Sequence, residues 1–408
     1  MRFIKFLVYS LILSFCLGQF GKLPFLGGEI NIYVWDVIVA VLVFYWMVGK
    51  LIVDRNVELP KLWLPLSVFT LVALISLING SRWLTASEFI VSSAYWLRWV
   101  FYSFIYFIIS DLSGKIQNTR YRILNTIIAS GVILAILGFI QLAVFPDLSK
   151  LDSSLGWDPH KNRLVSTWLD PNFLGAYFFL CLSLLMGKAF DQENVIQNSK
   201  SEALNPKQYQ MIKIQNLKHF YNLKIRILNL FRISDLGFRI FLCGIVSFLL
   251  LAGLLLTFSR SAWGMFAVVL GVFGVLKSRK LLFLMVLMFF SAYFFVPRVQ
   301  TRIAGITDPA DSAHFRLISW QRTFEIIKEY PFLGVGFNAF RYAQESSGFF
   351  RTSRGVPLES GHSGSGSDSS VLLVWATTGI LGLLSYLWLY LGLLWRAFGG
   401  ENRLSISD

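Results

Sequence analysis

Apolar runs long enough to cross a lipid bilayer recur along the chain, and they constrain its fold more than any other feature. Residues 123–145, 241–258 and 371–395 are the clearest. About 20 apolar residues in helical form cross the roughly 30 Å hydrocarbon layer. No water is present there to satisfy the backbone, so each run must be a helix that closes its own hydrogen bonds. The short alternating segments of a barrel are not seen. The predicted fold class is therefore all-α: a polytopic membrane helix bundle of about 10 transmembrane helices. The spans are placed at 3–20, 33–53, 62–80, 90–111, 123–145, 173–189, 239–258, 261–277, 281–296 and 371–395. Charged residues make up 15% of the chain, against roughly a quarter in soluble domains, which favours lipid as the surroundings.

The formal net charge of +14 would suggest nucleic acid in a soluble protein. Here Lys and Arg gather in short loops between apolar runs, as the positive-inside rule expects. No nucleic-acid partner is predicted; membrane lipids are. Lys50, Arg55 and Lys61 follow the second span, Lys115, Arg120 and Arg122 the fourth, Lys277, Arg279 and Lys280 the eighth, and Arg396 and Arg403 the tenth. With Arg2 and Lys5 inside, all of these fall on the cytoplasmic face, and so do both termini. The first run has the basic start of a signal peptide but no small-x-small cleavage site, so a retained helix is expected. Cys16, Cys181 and Cys243 lie in apolar stretches without metal-ligand spacing, and neither a metal site nor a cofactor is predicted. Trp83, Trp96 and Trp99 read as interfacial anchors.

This divides the chain into N-terminal transmembrane helices (1–189), a basic cytoplasmic loop (190–238), core transmembrane helices (239–296), a periplasmic loop (297–370), and a last helix with a short cytoplasmic tail (371–408). The first loop reads either as an amphipathic helix on the anionic inner leaflet or as a solvated linker. The second carries Arg298, Arg302, Arg316, Arg322, Arg341, Arg351 and Arg354. Within it, 314–330 is predicted helical, because Phe315, Ile318, Phe324 and Ile327 recur at helical spacing. Arg316 and Trp320 share a face, Pro331 ends the pattern, and Gly334-Val335-Gly336 makes a turn.

Three further clusters stand out. Arg260 lies in Thr257-Phe258-Ser259-Arg260-Ser261-Ala262-Trp263, between two apolar runs with almost no loop. Snorkelling explains many such arginines, but the small polar neighbours suggest packing round a cavity. Arg163 begins Arg163-Leu-Val-Ser-Thr-Trp-Leu-Asp170-Pro171-Asn172, in which Asp170 and Pro171 signal a helix start. Gly364-Ser-Gly-Ser-Asp368-Ser369-Ser370 enters the last span; Asp368 reads most simply as a cap, and Thr377-Thr378-Gly379 beyond it as a site of close helix approach. Arginines from separate outer segments suit a diphosphate, since guanidinium makes bidentate phosphate contacts and keeps its charge when desolvated. A diphosphate at the outer membrane surface is the linkage of a polyprenyl carrier. Arginines can also stabilise such a leaving group electrostatically, without a metal.

The chain resembles the O-antigen ligase and O-antigen polymerase superfamily. The resemblance is carried by "RLVSTWLDPNFLGAYF" at 163–178, "LLLTFSRSAWGMF" at 254–266, "HFRLISWQRTFEIIKEYPFLGVGFNAF" at 314–340 and "DSSVLLVWATTGILGLL" at 368–384. It implies a GT-C-like, metal-independent, inverting glycosyltransferase. Such an enzyme takes glycan from an undecaprenyl-diphosphate-linked donor on the periplasmic side of the inner membrane and passes it to a glycan or lipid-linked acceptor. It also implies Arg260 and Arg316 as diphosphate ligands, with Arg163 a third. Ligases commonly carry a His where this chain has Asp368, and His362 lies six residues earlier. Asp368 is expected to orient or deprotonate the acceptor hydroxyl, with His362 the competing assignment. The departure favours polymerase over ligase. Two other classes remain: a transporter or flippase of lipid-linked oligosaccharides, and a scaffold that works with polysaccharide export proteins. The first predicts polar residues deep within spans.

Overall fold

The computed structural model describes residues 2–25, 30–54, 59–115, 119–151, 160–202, 241–276, 279–304, 312–349 and 367–398. In chain order the helices are α1 (Arg2–Ser14), α2 (Val34–Val48), α3 (Trp63–Gly80), α4 (Ala86–Lys115), α5 (Thr119–Val144), α6 (Pro171–Glu202), α7 (Phe241–Leu256), α8 (Arg260–Leu276), α9 (Arg279–Phe295), α10 (Pro297–Ala304), α11 (Ser312–Glu329), α12 (Phe340–Ser346) and α13 (Ser370–Phe398). Each predicted span overlaps a described helix. Among the described residues, six are long and apolar enough to cross a membrane: Arg2–Gly21, Val34–Ile52, Trp63–Gly80, Thr119–Val144, Pro171–Ala189 and Ser370–Ala397. Phe241–Leu256 and Arg260–Val275 are shorter apolar helices. The departure from all-α is a small antiparallel hairpin, β1 (Lys22–Phe25) and β2 (Ile30–Tyr33), with Lys22 opposite Tyr33. Helix α6 runs on to Glu202, into the segment expected to be a basic loop; residues 203–238 lie outside the described residues.

The chain forms two compact units. The first comprises residues 1–14, 21–120 and 303–408, the second residues 15–20 and 121–302. In the first, α2 and α4 are joined by two ion pairs. Asp36, in the first turn of α2, bonds Arg98 at 3.0 Å and accepts from the Tyr102 hydroxyl at 2.7 Å. It also caps its own helix through the Tyr33 amide at 2.8 Å. Just beyond the far end of α2, Lys50 bonds Asp111 at 3.0 Å, and the Trp46 indole donates to the same carboxylate at 3.2 Å. The partners advance in the same direction along both helices, so α2 and α4 run parallel. This corrects the reading of Lys50 as a loop charge: its side chain is only 6% exposed, because Asp111 neutralises it within the bundle. Trp96 and Trp99 are corrected as well. Their indoles donate to the Thr70 carbonyl (3.1 Å) and hydroxyl (3.0 Å) in the middle of α3. An N–H in an apolar bundle needs an acceptor, and these two find theirs inside the protein rather than at the interface.

Helix α13 is broken at Gly379, where φ is +66° and ψ −169°. A break frees backbone groups that must find other partners. The turn after α11 supplies them. Val335 and Gly336 amides donate to the Ala376 and Thr377 carbonyls at 2.9 and 3.0 Å, and Ile380 donates to the Pro331 carbonyl at 2.9 Å. The Ser76 hydroxyl of α3 adds a 2.6 Å bond to the Thr377 carbonyl. The Trp83 indole, just past the end of α3, donates to the Val335 carbonyl at 3.1 Å. The Pro-x-x-Gly-x-Gly turn and the Thr-Thr-Gly sequence are therefore two halves of one structural feature.

The second unit packs α5, α6, α7 and α8 around Leu134, Leu164, Phe178, Cys181, Leu250, Leu254 and Ala262. Small residues set the spacing. A Cβ on Gly131 would lie 2.6 Å from the Cys181 sulfur, and one on Gly175 would lie 2.8 Å from Ala262 Cβ.

Candidate functional site

Within the second unit, Arg163 and Arg260 are brought to one place. Helix α7 ends at Leu256, and α8 begins at Arg260 after a sharp turn. Ser259 caps α8: its hydroxyl accepts from the Ala262 amide at 3.4 Å and donates to the Asn172 side-chain oxygen at 2.9 Å. The Trp263 indole closes the turn on the Leu254 carbonyl at 3.1 Å. Arg163 is buried against this turn. Its Nε donates to the Thr257 carbonyl at 2.8 Å and its Nη2 to the Phe258 carbonyl at 3.3 Å, while Nη1 lies 3.5 Å from His160 Nδ1. The guanidinium thus holds the carbonyls three and two residues before Arg260. Arg260 itself is half-buried in the first turn of α8.

The segment carrying Arg163 is held from several sides. His160 and Pro146 carbonyls accept from the Leu148 and Asn162 amides at 2.9 and 2.8 Å. Lys161 pairs with Asp147 at 3.3 Å. Bonds from the Ser149 hydroxyl and amide, together with Lys161, hold the Asp147 carboxyl below the usual carboxylate range. Gln141 of α5 accepts the Val165 and Ser166 amides at 3.0 and 3.3 Å. Its role was not expected, although it is the one large polar side chain in 127–145 and so carried a signal. Asp170 caps α6 as predicted, accepting from Asn172 at 2.7 Å and Phe173 at 3.3 Å.

Arg316 and Asp368 belong to the first unit. Arg316 is half-buried near the start of α11. Ser319 and Thr323 continue the same face and are buried. Thr323 donates to the Ser367 hydroxyl at 2.9 Å, anchoring the residue before Asp368. Asp368 is exposed, with φ of 47°. It does not cap α13. That bond is made by Ser369, whose hydroxyl accepts from Leu372 at 3.4 Å, because Ser369 holds the position just before the helix. His362 lies outside the described residues.

The backbone marks the same places independently. Six described non-glycine residues have left-handed φ: Asn162, Ser166, Leu169, Phe258, Asn338 and Asp368. Four of them surround Arg163 and the turn before Arg260, and a fifth is Asp368 itself. Asn and Asp adopt left-handed backbone readily, but in Ser166, Leu169 and Phe258 it costs about 1–3 kcal/mol each, and such strain clusters where function requires a set geometry.

Fold and apolar helices together define a predominantly helical, multi-pass membrane protein. Residues 245–387 match the family model for O-antigen ligase. This similarity runs from α7 through most of α13 and takes in Arg260, Arg316, His362 and Asp368, but not Arg163. No curated protein and no solved structure matches the chain.

Proposed function

We propose that this protein transfers or polymerises glycan from an undecaprenyl-diphosphate-linked donor on the periplasmic side of the inner membrane. The observation that carries the proposal is the strained backbone of Ser166, Leu169 and Phe258 around Arg163 and the turn before Arg260, beside and inside the matched domain. In this reading an acceptor hydroxyl attacks the anomeric carbon with inversion. The new bond forms from the acceptor oxygen, and its proton passes to the Asp368 carboxylate. The bond from the anomeric carbon to the diphosphate breaks, and undecaprenyl diphosphate leaves with the electron pair. Arg260 and Arg316 take up its growing negative charge. Arg163 adds positive charge beneath the turn and fixes the height of Arg260. The arginines make a metal unnecessary, so activity should survive EDTA. The acceptor is another lipid-linked repeat, making the protein a polymerase rather than a ligase, and polysaccharide export proteins are its expected neighbours.

The test is glycan length in a deletion strain complemented with wild type, Arg260→Ala or Arg316→Ala, with membrane levels matched by blot. Loss of one such charge contact should lower transfer by about a hundredfold, leaving short glycan. Wild-type glycan from both variants would refute the mechanism. Asp368→Ala and His362→Ala, run side by side, assign the base: the first should lose activity and the second retain it.

A transporter or flippase of lipid-linked oligosaccharides is the second reading. The observation in its favour is the two largely shielded ion pairs between α2 and α4. Each charge there already has its partner, as a structural tie requires. Movement of lipid-linked sugar by purified protein in vesicles, without glycosyl transfer, would establish the second reading.

A further inference from the structure

Helix α11 presents three distinct sides. Ser319, Thr323, Ile326 and Ile327 are buried against the rest of the unit. Gln321, Arg322, Glu325, Lys328 and Glu329 form a polar flank. On that flank Arg322 donates to the Phe349 carbonyl at 3.1 Å and lies over the Phe349 ring. The third side is apolar and open: Leu317 is 53% exposed, Trp320 38% and Phe324 42%. At 100° per residue these three fall within about 60° of arc, so they form one stripe. Phe332, beyond the helix end, is 72% exposed.

The height of this stripe is set by what holds the end of the helix. The turn that follows α11 is bonded into the break of α13 and packs on the end of α3, where a Cβ on Gly80 would lie 2.9 Å from the Val335 carbonyl oxygen. The 18 residues of α3 span about 27 Å, close to the thickness of the hydrocarbon layer. Gly80 therefore marks the level at which α3 leaves the hydrocarbon; Val335 stands at that level, and Phe332, whose carbonyl meets Gly379 just past the Thr377 held by Ser76, stands no further out. Phe324 meets the Trp375 ring, four residues nearer the start of α13 than Gly379, or about 6 Å further out.

From this we infer that α11 is a membrane-interfacial helix. It descends toward Pro331 with Leu317, Trp320, Phe324 and Phe332 in the headgroup and upper acyl region of the leaflet where α3 ends. The occupant of the open stripe is the lipid surface. An apolar face beside a charged one, with Trp on the apolar side, is what such a boundary selects. Arg316, one residue before the stripe, is then held at headgroup height whatever substrate it meets.

The test uses full-length protein in vesicles of phosphatidylethanolamine and phosphatidylglycerol. Nitroxide labels are placed at Leu317→Cys, Phe324→Cys, Phe332→Cys and Glu325→Cys, with the three native cysteines replaced by alanine. The ratio of oxygen to nickel-chelate accessibility should be several-fold higher at 317, 324 and 332 than at 325, and highest at 332. Equal, water-like ratios at all four positions would overturn the inference. So would shielding of 317 and 324 from both reagents, which would mean a protein partner. Hydroxyl-radical footprinting of the unmodified protein gives a readout independent of variant folding. Trp320 and Phe324 should be oxidised in detergent-free vesicles far less than their exposure predicts, and oxidation at the rate of water-exposed side chains would equally overturn the inference.

Discussion

Gly379 sits in a backbone conformation that only glycine tolerates, and its Cα lies so close to the Phe332 carbonyl that a Cβ would fall 2.1 Å from the oxygen. Gly334, at φ +68°, is equally confined against the backbone of Thr377. Gly379→Ala and Gly334→Ala should each destabilise the protein by at least about 1–3 kcal/mol from strain alone. The readout is thermal unfolding in detergent together with membrane yield. Gly187 and Gly264 lie inside helices, and a Cβ on either would meet nothing within 4 Å, so alanine there should be neutral or stabilising by about 0.4–1 kcal/mol. Equal losses at all four positions would mean that the break in α13 is not held by this contact. At Arg163 the expected behaviour is different again. Arg163→Lys retains the charge but cannot reach two carbonyls in the same planar geometry. It should lower both stability and glycan length, whereas Arg260→Ala should lower glycan length alone.

At the scale of elements, the α2–α4 pairing rests on two ion pairs, of which Lys50–Asp111 is the more buried. Breaking one such pair leaves its partner uncompensated and costs about 3–5 kcal/mol, whereas replacing both by apolar residues is often close to neutral. Lys50→Met should therefore lower the melting temperature more than Lys50→Met combined with Asp111→Leu. An additive double variant would show that the two residues do not act as a pair. The loop that carries Arg163 gives a pH prediction. The Asp147 pKa is lowered in the folded state, so its contribution is complete above the ordinary carboxylate value and is lost as pH falls through the depressed one. Because the Asp147 side chain is still 30% exposed, water screens its contacts and the effect on stability is small. Asp147→Asn should remove a step in unfolding that wild type shows only below about pH 4. These ties were only partly legible in sequence. The runs from 33 to 111 read as membrane helix and nothing more, because a charge near the end of an apolar run looks the same whether it faces water or a partner helix. Asp170 was legible because capping is local: the acid and the amides it satisfies are two and three residues apart.

At the scale of the molecule, the amino-acid sequence by itself determined the class. Apolar runs of membrane length must be helices, since an unsatisfied backbone cannot persist in hydrocarbon. The order of short motifs from 163 to 384 pointed to the superfamily, and the match to the O-antigen ligase model at 245–387 supports it. Local rules also placed the helix before Pro331 and the turns at Gly334 and Gly336, because steric and capping effects act within a few residues. Only the tertiary structure decided what those turns are for. That the 331–336 turn completes the hydrogen bonding of a helix broken at Gly379, that Arg163 grips the carbonyls before Arg260, and that Ser369 rather than Asp368 caps α13 all depend on which groups meet in space. The first two join groups some 40 and 90 residues apart in the chain. The hydrophobic pattern selects helices and their buried faces. It leaves open which polar atom satisfies which, because in a low-dielectric interior any well-placed donor will serve an acceptor and only the packing fixes the one that arrives.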